Sequence, residues 1–400
     1  MANVVPIRRP IMRVPHVRAT NRATVLQLLR RYKYLSRAEL ARRTGLSEAA
    51  VSRIVARLLH EGLVVAEGGE EATGGRPAIR LQLNEARFQA VGVDIQNWET
   101  RISLGTITGR ILATRRFRTP PSPEKALKLI SEQVEELSAS PADGFPEAVG
   151  VAVRGLVNSE TGVAELGNDP SWVRVGVKQL LSELLGRPVY VENNVRAAAQ
   201  AEHDYGLTEM QNSRCLLFVK VDEGVGMGII LDGKLYRGPR MAAGELGQMV
   251  ISDSEGTMRH DRPGCLEMLA SDLAIIARYN RLANEEIRSG SVSTAEQVRR
   301  ICHLALGGDA AARETILETA RYLGIGIANA VWALDAEMVV LDGAITDAWP
   351  LVLPAMRAQF PESSEFLNFY NLIVRPSSLQ GEASIIGACT LPFSRLFSAE

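Results

Sequence analysis

Hydrophobic positions at the start of the chain recur at the spacing of helices. Residues 21–31 place apolar side chains three and four positions apart, which predicts a first helix. Ser36 followed by Glu39 is the pattern of a capping box, and it predicts a second helix that ends at Gly45. A third helix follows Ser47 and carries apolar side chains at positions 51, 54, 55, 58 and 59. Two helices joined by a glycine-containing turn form the helix-turn-helix pattern.

Two short apolar segments after the third helix predict a winged hairpin. They span 63–66 and 79–83, and the tip between them, 68–77, is rich in glycine. On that tip a guanidinium could enter the minor groove of DNA, while the third helix turns its polar side toward base edges and phosphates. The predicted DNA-binding residues are Ser47, Glu48, Ala49, Ser52, Arg53, Arg57 and Arg76.

From residue 90 onward the pattern changes to apolar runs of strand length. The first series comprises strands at 90–95, 102–107 and 111–117, a helix at 123–137 and a strand at 148–153. The second series begins at Cys215 and comprises strands at 216–221, 227–231, 234–236 and, after several helices, 337–341. Strands followed by a crossover helix indicate α/β architecture. Two related halves predict two lobes with a cleft between them, where a small ligand would lie.

Composition favours a globular protein with more than one domain. The chain has 400 residues, of which 46% are hydrophobic and 23% charged, too many for one core of ordinary size. Its apolar runs stay far below the roughly 20 residues of a membrane-spanning helix, and its start lacks the features of a secretory signal. Its 4 cysteines lie far apart, which suits reduced thiols better than disulfides. We therefore expect a cytoplasmic protein with no membrane segment.

Charge is divided unevenly along the chain. The formal net charge is −1, but residues 1–87 hold 16 Lys and Arg against 7 Asp and Glu, and residues 88–400 hold 29 against 39. A head of net charge +9 suits a polyanion such as double-stranded DNA, although a basic three-helix unit can also be a protein-binding adaptor. We expect a flexible basic arm at 1–19, a winged helix-turn-helix domain at 20–87 and a two-lobed α/β body at 88–400.

Short motifs distributed along the chain resemble those of the ROK family (repressors, open reading frames and sugar kinases), specifically its transcriptional regulators. These motifs are Ser36-Arg37-Ala38-Glu39-Leu40, Gly45-Leu46-Ser47, Val51-Ser52-Arg53, Gly74-Gly75-Arg76-Pro77, Glu192-Asn193-Asn194, Ala243-Gly244-Glu245-Leu246-Gly247 and Gly264-Cys265-Leu266-Glu267. The similarity extends from about Val17 to Ala388. It implies an actin-like, ribonuclease-H-type fold for the body, a sugar in the cleft, and a homodimer or tetramer that presents paired heads to an operator.

Departures from the family pattern separate a regulator from a kinase. ROK kinases have Asp-x-Gly-Gly-Thr in the first phosphate loop, whose glycines let backbone N–H groups approach the phosphates, whereas residues 94–99 here read Asp-Ile-Gln-Asn-Trp-Glu. The second loop resembles Gly-Thr-Gly-x-Gly in kinases, and residues 222–226 here read Asp-Glu-Gly-Val-Gly. The position of the kinase's general base is Asn194, whose amide cannot accept a proton. We therefore expect no kinase activity and no cofactor, with an ATP-dependent sugar kinase bearing a DNA-binding head as the alternative.

The sugar-binding pattern of the family is better preserved. Sugar hydroxyls require paired donors and acceptors in a preformed cleft. Matched position by position, the resemblance implies sugar contacts from Gly155, Asn168, Asn193, Asn194, Glu245, Gln248 and Glu267. Among these, Asn194 and Gln248 have altered chemistry, Gly155 would contribute its backbone, and Asn168 is the weakest match. The alternative is that the amides and carboxylates are helix caps and surface groups.

A structural zinc ion, bound by many family members, is not expected here. The family's ligands are a His after Gly-Glu-x-Gly and a Cys-x-Cys-Gly-x-x-Gly-Cys run. This chain has Gln248 at the His, Met258 and His260 at the first two cysteines, and retains Cys265. Two candidate ligands cannot complete the four-coordinate site that structural zinc prefers.

The leading hypothesis is a sugar-responsive DNA-binding transcriptional regulator that represses genes of carbohydrate use and is not an enzyme. Its oligomer would place two winged heads on a pseudo-palindromic operator, and a sugar in the cleft would change that binding. A further alternative is that the body is an oligomerisation scaffold without a ligand. The apolar face of a helix predicted over 310–330 is compatible with core packing or with an oligomer contact.

Overall fold

The computed structural model describes residues 14–68, 79–138, 148–166, 170–252, 263–284, 292–360 and 371–398. The chain forms two compact units, of which the first comprises Met1–Gln89 with Pro392–Glu400 and the second Ala90–Leu391. The first unit is called the head here and the second the body. The expected body of 88–400 is therefore corrected at its C-terminal end, because the described residues 392–398 group with the head. No helix of the described residues is long and apolar enough to cross a membrane.

The head contains three helices and a two-stranded hairpin. They are α1 Val14–Tyr32, α2 Arg37–Thr44, α3 Glu48–His60, β1 Val64–Glu67 and β2 Arg80–Leu83. The predicted capping box is present, because Ser36 Oγ accepts from the Glu39 amide at 3.3 Å while the Glu39 carboxylate accepts from the Ser36 amide at 2.7 Å. Gly45 ends α2 at a φ of 69°, a left-handed conformation that favours glycine. The helix-turn-helix thus follows from local sequence.

The first helix begins earlier than expected. α1 starts at Val14, so residues 14–19 are helical and the flexible arm expected at 1–19 is wrong for that part. The helix is stabilised by an apolar face that is buried in the head, formed by Ala23, Val25, Leu26 and Leu29. Residues 1–13 lie outside the described residues.

The hairpin pairs antiparallel from Val64 opposite Leu83 to Glu67 opposite Arg80. A single bridge from Leu35 to Leu81 adds the segment before α2 to its edge. This arrangement is that of a winged helix-turn-helix. The tip of the wing, 69–78, lies outside the described residues, and with it the predicted DNA contact Arg76.

The C-terminal segment packs within the head through two aromatic side chains. The ring of Phe393 meets that of Phe88 edge to face, with centroids 6.4 Å apart. The Gln27 amide donates to the Phe397 carbonyl at 2.7 Å, and the Arg30 guanidinium lies 4.2 Å from the Phe397 ring centroid. These contacts with α1 and the end of the wing explain why the last residues of the chain belong to the N-terminal unit.

The body is built from thirteen strands and ten helices among the described residues. The strands are β3 Gln89–Ile95, β4 Glu99–Thr106, β5 Ile111–Arg118, β6 Val149–Val153, β7 Leu156–Asn158, β8 Val163–Leu166, β9 Val175–Gly176, β10 Val189–Asn193, β11 Cys215–Val221, β12 Val225–Leu231, β13 Lys234–Leu235, β14 Met338–Asp342 and β15 Ile373–Pro376. The α-helices are α4 Pro123–Ser138, α5 Val177–Leu185, α6 Asn194–Tyr205, α7 Thr208–Asn212, α8 Leu266–Ala270, α9 Asp272–Ala283, α10 Thr294–Leu306, α11 Ala310–Leu334, α12 Trp349–Arg357 and α13 Ala383–Thr390.

Two five-stranded sheets of the same topology confirm the predicted lobes. The first has the order β5-β4-β3-β6-β10 and the second β13-β12-β11-β14-β15. In each sheet an antiparallel meander of three strands is extended by two parallel strands. This order, third, second, first, fourth, fifth, is the ribonuclease-H-type arrangement found twice in an actin-like fold. Buried apolar residues of each sheet form its core, with α4 and α5 in the first lobe and α9, α10 and α11 in the second.

Two helices pack with their backbones in contact at the centre of the body. A Cβ atom placed on Gly387 of α13 would lie 2.2 Å from the carbonyl oxygen of Ala197 in α6, so only glycine fits there. The apolar face predicted for 310–330 belongs to α11, and its Leu323 and Ile327 are fully buried within this chain. Core packing therefore accounts for that face.

Candidate functional site

The exposed side of α3 carries the predicted DNA-binding residues that the structure describes. Val51, Val55 and Leu58 are fully buried against the rest of the head. The opposite side presents exposed residues, namely Ser47, Glu48, Ala49, Ser52, Arg53 and Arg57. The structure thus places the predicted residues, apart from Arg76, on one surface of the head, and this surface includes the first turn of α3.

The two arginines of this surface differ in their partners. Arg57 Nε donates to Glu61 at 2.8 Å, and Glu61 also pairs with Arg22 at 2.9 Å. Arg53 Nε contacts the Ala49 carbonyl of its own helix at 3.4 Å, which is a weak bond at the limit of the usual range. Turning toward a base or phosphate would therefore break a weaker contact for Arg53 than for Arg57.

Three of the predicted sugar-binding residues surround one small cavity in the body. Gly155, Asn193 and Glu245 line it, together with side chains and backbone that sequence reasoning did not select: Leu156, Val195, Arg196, Gly226, Met227, Ala243 and Gly244. We call this space the sugar cavity, after the binding that the family resemblance implies. Asn194 and Gln248 lie beside it in the chain without lining it, and Asn168 is outside the described residues.

Asn193 acts as a helix cap as well as lining the cavity. Its Oδ1 accepts from the backbone amides of Val195 and Arg196, both at 2.9 Å, and so begins α6. Its Nδ2 donates to the carbonyl of Gly155 at 2.7 Å. An amide has two N–H donors, so Asn193 retains one for a ligand hydroxyl. Gly155 has a φ of 82°, which turns its carbonyl toward Asn193 without a side-chain clash.

The two predicted glutamates lie close enough to interact, but only Glu245 lines the cavity. Glu267 Oε2 accepts from the Val225 amide at 3.0 Å and so fixes the start of β12. Although Glu245 is an exposed residue, desolvation by the surrounding protein raises the pKa of its carboxyl; Arg196 opposes that shift and Glu267 adds to it. Gln248 is half-buried in the short 3-10 helix that follows Glu245. The Glu245 carboxylate can thus accept hydrogen bonds from sugar hydroxyls.

A buried charge cluster beneath the cavity was not expected from the sequence. Glu192, which is 1% exposed, accepts from Ser159 at 2.7 Å and from Arg237 at 2.7 Å. Arg196 Nε lies 2.8 Å from the same carboxylate, as an ion pair whose N–H is not aligned for a hydrogen bond. Glu192 therefore stabilises the site and is not a free carboxylate that could act as a general base.

Arg196 connects separate segments around the sugar cavity. It donates to the Met241 carbonyl at 2.7 Å and to the Val157 carbonyl at 2.6 Å. Burial lowers the pKa of its guanidinium, although Glu192 opposes the shift. The available signal in the sequence was an arginine inside the alanine-rich start of α6, where a buried charge needs partners. Arg196 thereby holds the loop that carries Glu245 against the strand after Gly155.

The sugar cavity is small in this conformation. Its volume is about 20 Å³, which is close to the space that one water molecule requires. A monosaccharide is several times larger. In this conformation the cavity is too small for a monosaccharide, and Arg196 bonds together two of the segments around it.

The first phosphate-loop position is closed by side chains. Asp94 is fully buried and accepts from Arg101 at 2.9 Å, from Ser384 at 2.9 Å and from Gln96 at 2.7 Å. Gln96 stands where ROK kinases have glycine, and its side chain folds back onto the aspartate. Asp94 is thus hydrogen-bonded to side chains of the protein itself.

The two phosphate-loop positions are also bonded to each other. Asn97 Nδ2 donates to Glu223 Oε2 at 2.6 Å, and Arg154 donates to the same oxygen at 2.9 Å. Side chains of three segments therefore meet where a kinase would hold nucleotide phosphates. Glu223 also places negative charge at that point.

Among the described residues there is no group of three or more His, Cys, Asp and Glu that could hold a metal ion. Cys265 is buried and free. The other two positions of the family's zinc run, Met258 and His260, lie outside the described residues, so the absence of zinc remains a prediction.

The fold and sites define a protein class with a winged-helix DNA-binding head and a two-lobed, actin-like body. Residues 90–394 match the model of the ROK family, and residues 19–76 match the MarR family. The chain belongs to the ROK family.

Relatives that match most of the chain include regulators, whereas a solved ROK family glucokinase of Streptomyces griseus matches 76% of this chain at 26% identity, with a TM-score of 0.65. The chain is 28% identical over 387 residues to a xylose repressor of Caldicellulosiruptor bescii, covering 94% of this chain and 96% of the relative. It is 28% identical over 348 residues to the DNA-binding transcriptional dual regulator NagC of Escherichia coli, covering 86% of this chain and 84% of that protein. A solved ROK family transcriptional regulator, a homologue of the E. coli MLC protein, superimposes with a TM-score of 0.78 at 25% identity, covering 96% and 98% of the two chains.

Proposed function

We propose that this protein is a sugar-responsive repressor of genes for carbohydrate use. The head binds double-stranded operator DNA through α3 and the β1–β2 wing, and the sugar binds at the sugar cavity. The relatives support this function, since a xylose repressor matches 94% of this chain and the regulator NagC matches 86% of it. The working form is a homodimer or tetramer in the cytoplasm, because paired heads match the symmetry of an operator.

The observation that carries the non-enzymatic part of the proposal is the bond from Asn97 to Glu223. This contact, reinforced by Arg154, joins the two loops that would have to hold a nucleotide between them. Asn194 stands at the position of the general base and cannot accept a proton from a sugar hydroxyl. The protein therefore binds a sugar without phosphorylating it.

The sugar acts by favouring one arrangement of the body over another. The sugar cavity must enlarge to admit a sugar, and the contacts of Arg196 to Met241 and Val157 oppose that change. A ligand shifts such an equilibrium only by as much as its affinities for the two arrangements differ, and a few kcal/mol is sufficient. Binding energy from the sugar hydroxyls thereby controls the affinity for DNA.

The experiment that tests the proposal is a thermal-shift screen of mono- and disaccharides on the full-length chain, combined with an ATP-consumption assay on the same sugars. A ligand that binds the folded state raises the melting temperature, so we expect a shift with one class of sugar and no ATP turnover above background. Glu245→Gln should reduce the shift because it removes a carboxylate from the cavity, whereas Glu132→Gln on the exposed side of α4 should not. Turnover of ATP, or no shift with any sugar, would contradict the proposal.

A further inference from the structure

A second and much larger cavity in the body is lined by residues of both phosphate-loop positions, including Asn97 and Glu223. Its volume is about 890 Å³, within the size range of small-molecule sites. Gln96 and Trp98 line it from the first lobe, while Lys220, Asp222 and Asp272 line it from the second. None of the residues that line the sugar cavity lines this one. We call it the acidic cavity.

Two buried side chains of the acidic cavity have acceptor oxygens without a donor. Asp272, the first residue of α9, is 1% exposed, and neither of its carboxylate oxygens has a hydrogen-bond partner among the described residues. Gln96 donates its amide N–H to Asp94, which fixes the amide orientation because a carboxylate only accepts. Its Oε1 is then buried, again without a partner in the described part of the chain. Buried acceptors without donors are costly, so a ligand that supplies donors here gains affinity.

Charge in the acidic cavity points to a cation. Seven carboxylates line it against five Lys and Arg side chains. Five of the carboxylates form ion pairs with lining cations, namely Glu99 with Arg116, Asp222 with Lys220, Glu223 with Arg154, and Glu296 and Asp347 with Arg299. Asp272 is the buried lining carboxylate whose oxygens have no donor among the described residues.

The charged form of Asp272 is unfavourable in the folded chain. Burial raises the pKa of its carboxyl well above the ordinary value, Asp222 and Glu223 add to the shift, and Lys220 and Arg299 oppose it. A carboxyl whose pKa is raised on folding contributes less stability as the pH rises through its titration. A cation placed beside Asp272 would offset that cost at neutral pH, and so would replacement by neutral asparagine.

We propose that the acidic cavity binds a small organic cation with a primary ammonium group, which Asp272 and Gln96 recognise from opposite lobes. An ammonium has three N–H donors, a positive charge and no acceptor, which matches acceptor oxygens in an acidic surrounding. A nucleotide has the opposite character, since its phosphates are anionic and present acceptors. The protein thus has a second effector site, separate from the sugar cavity, which binds an amine.

The proposal is tested by isothermal titration calorimetry of the full-length chain without sugar. The two probes are putrescine and its diol analogue, in which hydroxyls replace both ammonium groups. We expect one putrescine per chain and no measurable binding of the diol. Asp272→Asn should weaken putrescine binding about tenfold or more, since a hydrogen bond to a charged partner is lost, without lowering the melting temperature of the free protein. Glu132→Gln, which removes an equal charge from an exposed position, should leave binding unchanged.

A second variant keeps the test decisive if Asp272→Asn folds poorly. Gln96→Met keeps the side-chain length and removes the acceptor, while Asp94 retains its bonds to Arg101 and Ser384. It should weaken putrescine binding by a smaller factor than Asp272→Asn. Absence of putrescine binding at millimolar concentration, equal binding of the diol, or unchanged affinity in both variants would overturn the proposal. Displacement of putrescine by a non-hydrolysable ATP analogue at lower concentration would also overturn it, because the cavity would then be a nucleotide site.

Discussion

Arg53→Ala is expected to weaken operator binding by about 1 to 3 kcal/mol per head, or roughly ten- to hundredfold. Arg53 is exposed on α3, and its bond to Ala49 is weak, so its guanidinium is available to a base or phosphate. In a dimer the loss applies to both half-sites. The measurement is fluorescence anisotropy with a labelled operator selected from random DNA by the full-length chain, at one fixed salt concentration because phosphate contacts make the affinity depend on salt.

The matched control for this variant is Arg313→Ala on the exposed side of α11. It removes the same side chain from the body and should leave operator affinity unchanged. Sugar binding, measured by thermal shift, should be the same in both variants. If Arg53→Ala lost DNA and sugar binding equally, the variant would be misfolded and the assignment of α3 as the reading helix would lose its support.

Glu192→Ala is expected to lower the free energy of unfolding of the body by about 3 to 5 kcal/mol. The carboxylate is buried and lies against two arginines, so its removal leaves Arg196 with an uncompensated buried charge. The same change frees the loop around Met241 that borders the sugar cavity. We therefore expect loss of the sugar-dependent thermal shift together with the loss of stability, measured by urea denaturation at neutral pH.

The control is Glu132→Ala, an exposed glutamate of α4 whose loss should change the stability by less than about 0.5 kcal/mol. Glu192→Gln adds a graded comparison, since it keeps the volume and one acceptor while removing the charge. A loss of stability in Glu192→Ala no greater than in Glu132→Ala would show that the buried cluster does not hold the cavity together.

Most of the fold could be predicted from local patterns in the sequence. The capping box at Ser36, the left-handed Gly45 and the strand-length apolar runs depend on neighbours in sequence, and the structure has these elements within a few residues of the prediction. Two five-stranded sheets of one topology follow from the two similar series of runs. The start of α1 differs from the prediction because residues 1–19 contain three prolines and four arginines, a composition typical of a flexible arm, whereas burial of the later part of the helix stabilises its first turns.

Long-range pairing accounts for what the sequence did not predict. Arg196 and Glu192 are four residues apart, but their other partners, Val157, Arg237 and Met241, lie distant in the chain. The packing of the last residues into the head depends on Phe88 and on α1, which no local pattern near the C-terminus indicates. The resemblance of short motifs selected Gly155, Asn193 and Glu245, and the structure places these three residues around one cavity.

The structure shows where some of the acidic residues of the body lie. Its carboxylates close the phosphate-loop positions at Glu223 and line the large cavity around Asp272. The excess of negative charge after residue 87 is thus partly placed where it opposes a nucleotide.

The central claim is that a sugar bound in the body changes the affinity of the head for DNA. The most direct measurement is the dissociation constant of the full-length chain for its selected operator, with and without the sugar that gives the largest thermal shift. We expect a change of about five- to hundredfold, the usual size of coupling between two sites. The change should persist in Arg313→Ala and disappear in Glu245→Gln at the same sugar concentration. An operator affinity that stays constant while the sugar demonstrably binds would contradict it.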